Sequence, residues 1–86
     1  MRDPIAVAFG RVLREQRDAR GLSQEAMAQK ADVDRTFISQ IERGIRRATL
    51  TTLCKLSHGL DVAPSTLIAR MERQLAADRG EPPALD

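Results

Sequence analysis

The sequence predicts an all-α fold of five short helices, and three observations carry that reading. Apolar residues recur at three- and four-residue steps, no stretch alternates apolar and polar side chains as a strand would, and helix-capping residues divide the 86-residue chain at short intervals.

Asp3-Pro4 opens helix 1, because Asp is a good N-cap and proline at the first helical position loses no hydrogen bond. Phe9, Val12 and Leu13 follow at helical spacing, and the helix runs over about 4–20, stopping at Gly21 with Arg17 and Arg20 in its last turn. Ser23 caps helix 2, about 24–31, whose apolar face is Met27, Ala28 and Ala31 and whose Glu25 suits the positive end of the dipole. After Val33, Asp34 caps helix 3, about 35–43, and Gly44 closes it.

Thr49 caps helix 4, in which Leu50, Leu53, Leu56, Ser57 and Leu60 form a stripe expected to be buried. Gly59 within that helix reads as a weakness of about 1 kcal/mol relative to alanine. Pro64 opens helix 5, about 64–77, with Leu67, Met71 and Leu75 at four-residue steps. Residues 79–86 read as a flexible C-terminal tail, so the folded domain is expected to span 1–78.

Composition narrows the function classes. Phe9 and Phe37 are the only aromatic residues, so Leu, Ile, Val and Ala must fill the core. No apolar run approaches the roughly 20 residues needed to span a bilayer, and the first residues lead into no signal-peptide core, so no membrane partner and a cytoplasmic location are expected. Cys54 is the only cysteine and His58 the only histidine. They stand four apart on helix 4 without a third ligand, so neither a metal site nor a cofactor is expected. No paired acid, base or nucleophile argues for catalysis. Basic charge is uneven: residues 1–60 carry a net +4 and residues 61–86 a net −2, which places a polyanion partner on the first two-thirds of the chain.

Helix 3 carries the functional signal. Ile38 and Ile41 share one face, extended by Val33 before and Ile45 after, and that side is expected to meet the core. Arg35, Thr36, Ser39, Gln40 and Arg43 fall on the opposite face, and all can hydrogen-bond. A major groove about 12 Å wide admits one α-helix, where Arg can address guanine, Gln adenine and the threonine methyl a thymine methyl. Arg35, Thr36, Ser39 and Gln40 are therefore the expected base readers, with Arg43 on the backbone. Phe37 can touch a thymine methyl or pack against helix 2.

Over residues 6–68 the sequence resembles the Xre/Cro-like helix-turn-helix regulators, which include phage repressors and restriction-modification controller proteins. The residues that carry the likeness are Gly21-Leu22-Ser23-Gln24-Glu25 with Ala28, then Phe37-Ile38-Ser39-Gln40-Ile41-Glu42-Arg43-Gly44, then Leu50-Thr51-Thr52-Leu53. The resemblance implies a lambda-repressor-like five-helix domain with the helix-turn-helix at helices 2 and 3. It also implies that Gln24 contacts a phosphate and that Arg46, Arg47 and Thr49 grip the backbone, with Arg17 among the phosphate contacts. A structural ion pair between Arg17 and Glu42 is implied in the same way. Ala48 stands where the family commonly has proline, Asp34 where it has serine, and Ala63 where a polar cap precedes Pro64.

The resulting expectation is a transcriptional regulator that binds double-stranded DNA as a homodimer on a palindromic operator. It would act by blocking or recruiting the transcription machinery, with RNA polymerase as a further partner. Leu67, Ile68 and Met71 are the expected dimer contacts, although such a stripe can equally roof the monomer core. A restriction-modification controller, or an antitoxin-type autorepressor, is a narrower version of the same reading. A protein-protein interaction module with an incidental basic face is the alternative from another class.

Overall fold

A computed structural model describes residues 2–81. It contains five helices: α1 (Pro4–Ala19), α2 (Gln24–Ala31), α3 (Arg35–Glu42), α4 (Leu50–Gly59) and α5 (Pro64–Asp78). No strand occurs among the described residues, and no helix is long and apolar enough to cross a membrane.

Local chemistry sets the helix starts. The side chains of Asp3, Ser23, Asp34 and Thr49 accept hydrogen bonds from the amides of Ile5, Ala26, Thr36 and Thr52, so all four predicted side-chain caps operate. Ala63 precedes α5 in extended geometry but has no side chain to offer, and Pro64 alone marks that start.

All five helices end in the same way. A left-handed residue follows each, and the next amide bonds back to a carbonyl five positions earlier: Leu22 to Arg17, Val33 to Ala28, Ile45 to Gln40, Val62 to Ser57 and Glu81 to Ala76. Gly21, Gly44 and Gly80 supply three of the left-handed positions, and Asp32 and Asp61 the other two. Arg79-Gly80-Glu81, expected in the tail, therefore belong to the closure of α5, since satisfying its last carbonyls requires them. The remainder of the expected tail, residues 82–86, lies outside the described residues.

One core joins the helices. Phe9, Val12 and Leu13 of α1 meet Met27, Ala28 and Ala31 of α2, Ile38 and Ile41 of α3, Leu53 and Leu56 of α4 with Leu60 at its end, and Leu67 of α5. Two predicted core positions are exposed. Leu50 opens α4 with no helix over it and stands 80% exposed, and Ile45 is turned outward by the left-handed Gly44 and stands 51% exposed. Thr52 and Ser57 are buried polar residues, each hydrogen-bonded within α4 or its cap.

Two helical glycines sit at close helix crossings, Gly59 among them, where pattern reading saw only a weakness. Gly10 is buried where α1 crosses α3, and a Cβ there would overlap the carbonyl oxygens of Ile41 and Glu42. Gly59 faces Ala31 across the α2–α4 contact, where a Cβ would come within 3.0 Å of the alanine Cβ, so its helix-propensity cost is offset by close packing. Arg11 and Asp78 tie α1 to α5 at 2.7 Å, and Arg20 donates to the Leu60 carbonyl at 2.8 Å.

Gly10→Ala should therefore lower unfolding free energy by about 1–3 kcal/mol, because α1 and α3 must separate to admit a methyl group. Ala63→Ser should raise it by about 0.5–1 kcal/mol by supplying the missing cap. Urea or thermal melts followed by circular dichroism read both changes.

Candidate nucleic-acid interface

The site is built on α3, and what seats α3 is a chain of polar contacts behind it. Arg17 of α1 grips Glu42 at the end of α3 in a two-pronged ion pair, Nε to Oε2 at 2.7 Å and Nη2 to Oε1 at 2.9 Å. Its remaining edge donates to the Leu22 carbonyl at 2.8 Å. The pair is nearly sealed, with side-chain exposures of 11% for Arg17 and 4% for Glu42. The hydrogen bond to Glu42 is the main reason the Arg17 guanidinium is held above its ordinary pKa. Arg17 is thus a structural residue. The expected phosphate contact does not suit this placement, because the guanidinium is largely buried and turned onto Glu42 and Leu22.

Gln24 extends this network to the surface. At the first position of α2, its Nε2 donates to Glu42 Oε1 at 3.0 Å while its Oε1 accepts from Arg35 Nη1 at 3.2 Å. The buried carboxylate therefore orients Gln24, and Gln24 in turn orients the first side chain of α3. Arg35 and Thr36 are fully on the surface, and Ser39 and Gln40 are half-exposed on the same outer side of α3, opposite buried Ile38 and Ile41.

The far end of α3 carries a second arrangement. Arg43 ends the helix as an exposed cap, and its carbonyl accepts from Arg2 Nη1 at 3.1 Å. Arg46 curls back from the following loop: its Nε donates to Gln40 Oε1, 2.6 Å away, and its guanidinium lies 4.6 Å from the Phe37 ring centroid. Phe37 is half-buried at the margin of the core, so it serves as a platform for Arg46 rather than as an outward reader. Arg47 is 81% exposed and bonds Asp3 Oδ2 through Nε at 2.9 Å. The Asp3 carboxyl is held below its ordinary value, chiefly by the Ile5 amide and further by Arg47. Thr49 uses its hydroxyl internally, accepting from the Thr52 amide and donating to the Thr52 hydroxyl. Any role for Thr49 at a ligand must come from its backbone.

The structure thus links Gln24 with Arg35, and Gln40 with Arg46, on one continuous exposed surface that Arg43 and Arg47 flank. It does not place Arg17 there. Among the proposed dimer residues, Leu67 has 0% exposure and is spent on the monomer core, whereas Ile68 and Met71 are half-exposed. Sequence reading missed Arg2, the second oxygen of Asp3 and the Phe37–Arg46 stacking. The Asp3–Arg47 and Arg2–Arg43 contacts span more than 40 residues and leave no periodic signal.

A helix-turn-helix family model matches residues 13–67. The chain belongs to the Xre/Cro-like helix-turn-helix family. Within that family it is 39% identical over 71 residues to control protein C.MunI of Mycoplasma sp, covering 81% of this chain and 96% of the relative. The restriction-modification controller protein C.AhdI from Aeromonas hydrophila superposes with a TM-score of 0.70 at 44% identity, over 72% of this chain and 94% of that one. The controller protein C.Esp1396I, solved as a tetramer with its natural 35 base-pair operator, superposes with a TM-score of 0.76 at 30% identity, over 83% of this chain and 93% of that one. The expected five-helix fold is therefore the fold of this helix-turn-helix protein, with α2 and α3 as the two helices of the motif.

In this family member the Arg17–Glu42 pair should govern stability. Arg17→Ala should cost about 3 kcal/mol, because it strands a nearly buried carboxylate that has lost its only charged partner and two of its three hydrogen bonds. Chemical denaturation measures the loss, and a change below about 1 kcal/mol would show that water readily replaces the guanidinium.

Proposed function

We propose that this protein is a sequence-specific double-stranded DNA-binding transcriptional regulator that acts as a homodimer on a palindromic operator, in the manner of restriction-modification controllers. The single observation that carries this reading is α3, whose outward side presents Arg35, Thr36, Ser39 and Gln40 while its inward side is locked by buried Ile38, Ile41 and the Arg17–Glu42 pair. A rigid helix with hydrogen-bonding side chains and arginines at its margin suits major-groove docking.

In this reading Arg35 and Thr36, at the N-terminal end of α3, reach base edges first, and Ser39 and Gln40 follow. Gln24, Arg43, Arg46, Arg47 and the backbone at Thr49 contact phosphates, which supply most of the affinity without reading sequence. Arg46 donates through Nε to the Gln40 side-chain oxygen, which steadies the Gln40 amide beside a phosphate-contacting arginine.

A second copy completes the assembly. Ile5 and Leu50, 50% and 80% exposed, border the same apolar depression as Ile68 and Met71. That patch, without Leu67, is the proposed dimer contact. Twofold pairing would set two α3 helices about 34 Å apart on successive turns of one DNA face. The regulator would work in the cytoplasm by blocking or recruiting RNA polymerase, and no catalytic step is part of the reading. The independently folded unit is proposed to extend to Glu81, where α5 closes.

Selection from random duplexes should recover a motif with two related half-sites. Arg35→Ala should relax preference at particular positions by about 1–3 kcal/mol while leaving others unchanged. Arg46→Ala should lower the slope of log affinity against log salt by about 0.9, one phosphate's worth, and weaken all sequences alike. No duplex affinity at low salt would overturn the proposal in favour of a protein-interaction module.

A further inference from the structure

One carboxylate sits among the arginines that flank α3, and it comes from the other end of the domain. Asp3 divides its two oxygens between different tasks. Oδ1 accepts the Ile5 amide at 2.9 Å and caps α1, while Oδ2 accepts Arg47 Nε, also at 2.9 Å. Only the first contact is needed to start the helix. Asp3 borders one concavity together with Arg2, Gln40, Arg46 and Arg47, within the surface proposed to meet phosphate, and with Arg46 and Arg47 it also edges the apolar depression proposed as the dimer contact.

We propose that Asp3 sets the affinity of this interface by holding Arg47 and cancelling its charge. The inference rests on the nucleic-acid reading above and goes beyond it, because it assigns a negative residue to a basic binding surface. Salt-dependent affinity counts the phosphates that protein cations neutralise, and an arginine facing a fixed carboxylate neutralises less than a free one. The pair itself contributes little to folding, since Arg47 is largely exposed and solvent screens the attraction. Its effect is therefore expressed in binding.

Asparagine caps helices as well as aspartate does, so Asp3→Asn removes the charge and keeps α1 intact. The variant is compared with the wild type, with Arg47→Ala and with the double substitution, using a fluorescein-labelled duplex of mixed sequence, about 30 base pairs long so as to hold two half-sites. Fluorescence anisotropy over a salt series reads affinity and slope together. Asp3→Asn should bind roughly three- to tenfold more tightly at low salt and steepen the salt slope by a part of the roughly 0.9 that one fully neutralised phosphate contributes. Arg47→Ala should cost more affinity in the Asp3→Asn background than in the wild type.

Unchanged or weaker binding by a variant that melts at the wild-type temperature would overturn the inference and leave Asp3 as a helix cap alone. Asp3→Ser, which also caps without charge, serves the same purpose if Asp3→Asn fails to fold, and its equivalence to wild type in affinity and slope would be equally fatal. Absence of binding by the wild type would instead bring down the nucleic-acid reading, and this inference with it.

Discussion

The position of α3 depends on one buried carboxylate. Glu42 receives two hydrogen bonds from Arg17 and one from Gln24, and through them it joins α1, the start of α2 and the end of α3. Burying a charge is costly unless it is fully paired, and here the pairing also fixes geometry. Arg17 is further anchored on the Leu22 carbonyl, in the turn that leads into α2. The two helices of the motif are therefore aligned to each other by reference to a third, and Arg35 inherits its orientation through Gln24.

Apolar packing does the complementary work. Ile38 and Ile41 press α3 into the core, and the absence of a side chain at Gly10 lets α1 approach its backbone. The ion pair alone would locate only the end of α3, and the isoleucines alone would leave its rotation less defined. Together they leave the outer side chains as the parts of α3 still able to adjust to a ligand.

Most of the architecture was legible because it is written locally. Asp3, Ser23, Asp34 and Thr49 each cap the helix they precede, and the period of Phe9, Val12, Leu13, Ile38 and Ile41 identifies inward faces without knowledge of the fold. Leu50 and Ile45 were misplaced because periodicity shows which side a residue is on and not whether another helix covers it. Leu67 was misassigned for the converse reason: an apolar stripe on the last helix reads the same whether it roofs a monomer or joins two copies. The exposed polar face of α3 was readable from spacing alone. The Arg17–Glu42 pair was legible only through the family resemblance, and the pairing of Asp3 with Arg47 not at all, since both depend on contacts between distant segments.

The close approach at Gly10 has an evolutionary consequence. Because α3 is held to the rest of the domain by its backbone at Gly10, its two isoleucines and Glu42, Thr36 stands fully exposed and Arg35 meets only the partly exposed Gln24, so replacing either disturbs little of the core. New side chains at those positions can arise one at a time without repair elsewhere in the domain. A lineage built on this scaffold can drift to new targets while its thermal tolerance stays the same, whereas any side chain at Gly10 would force α1 and α3 apart.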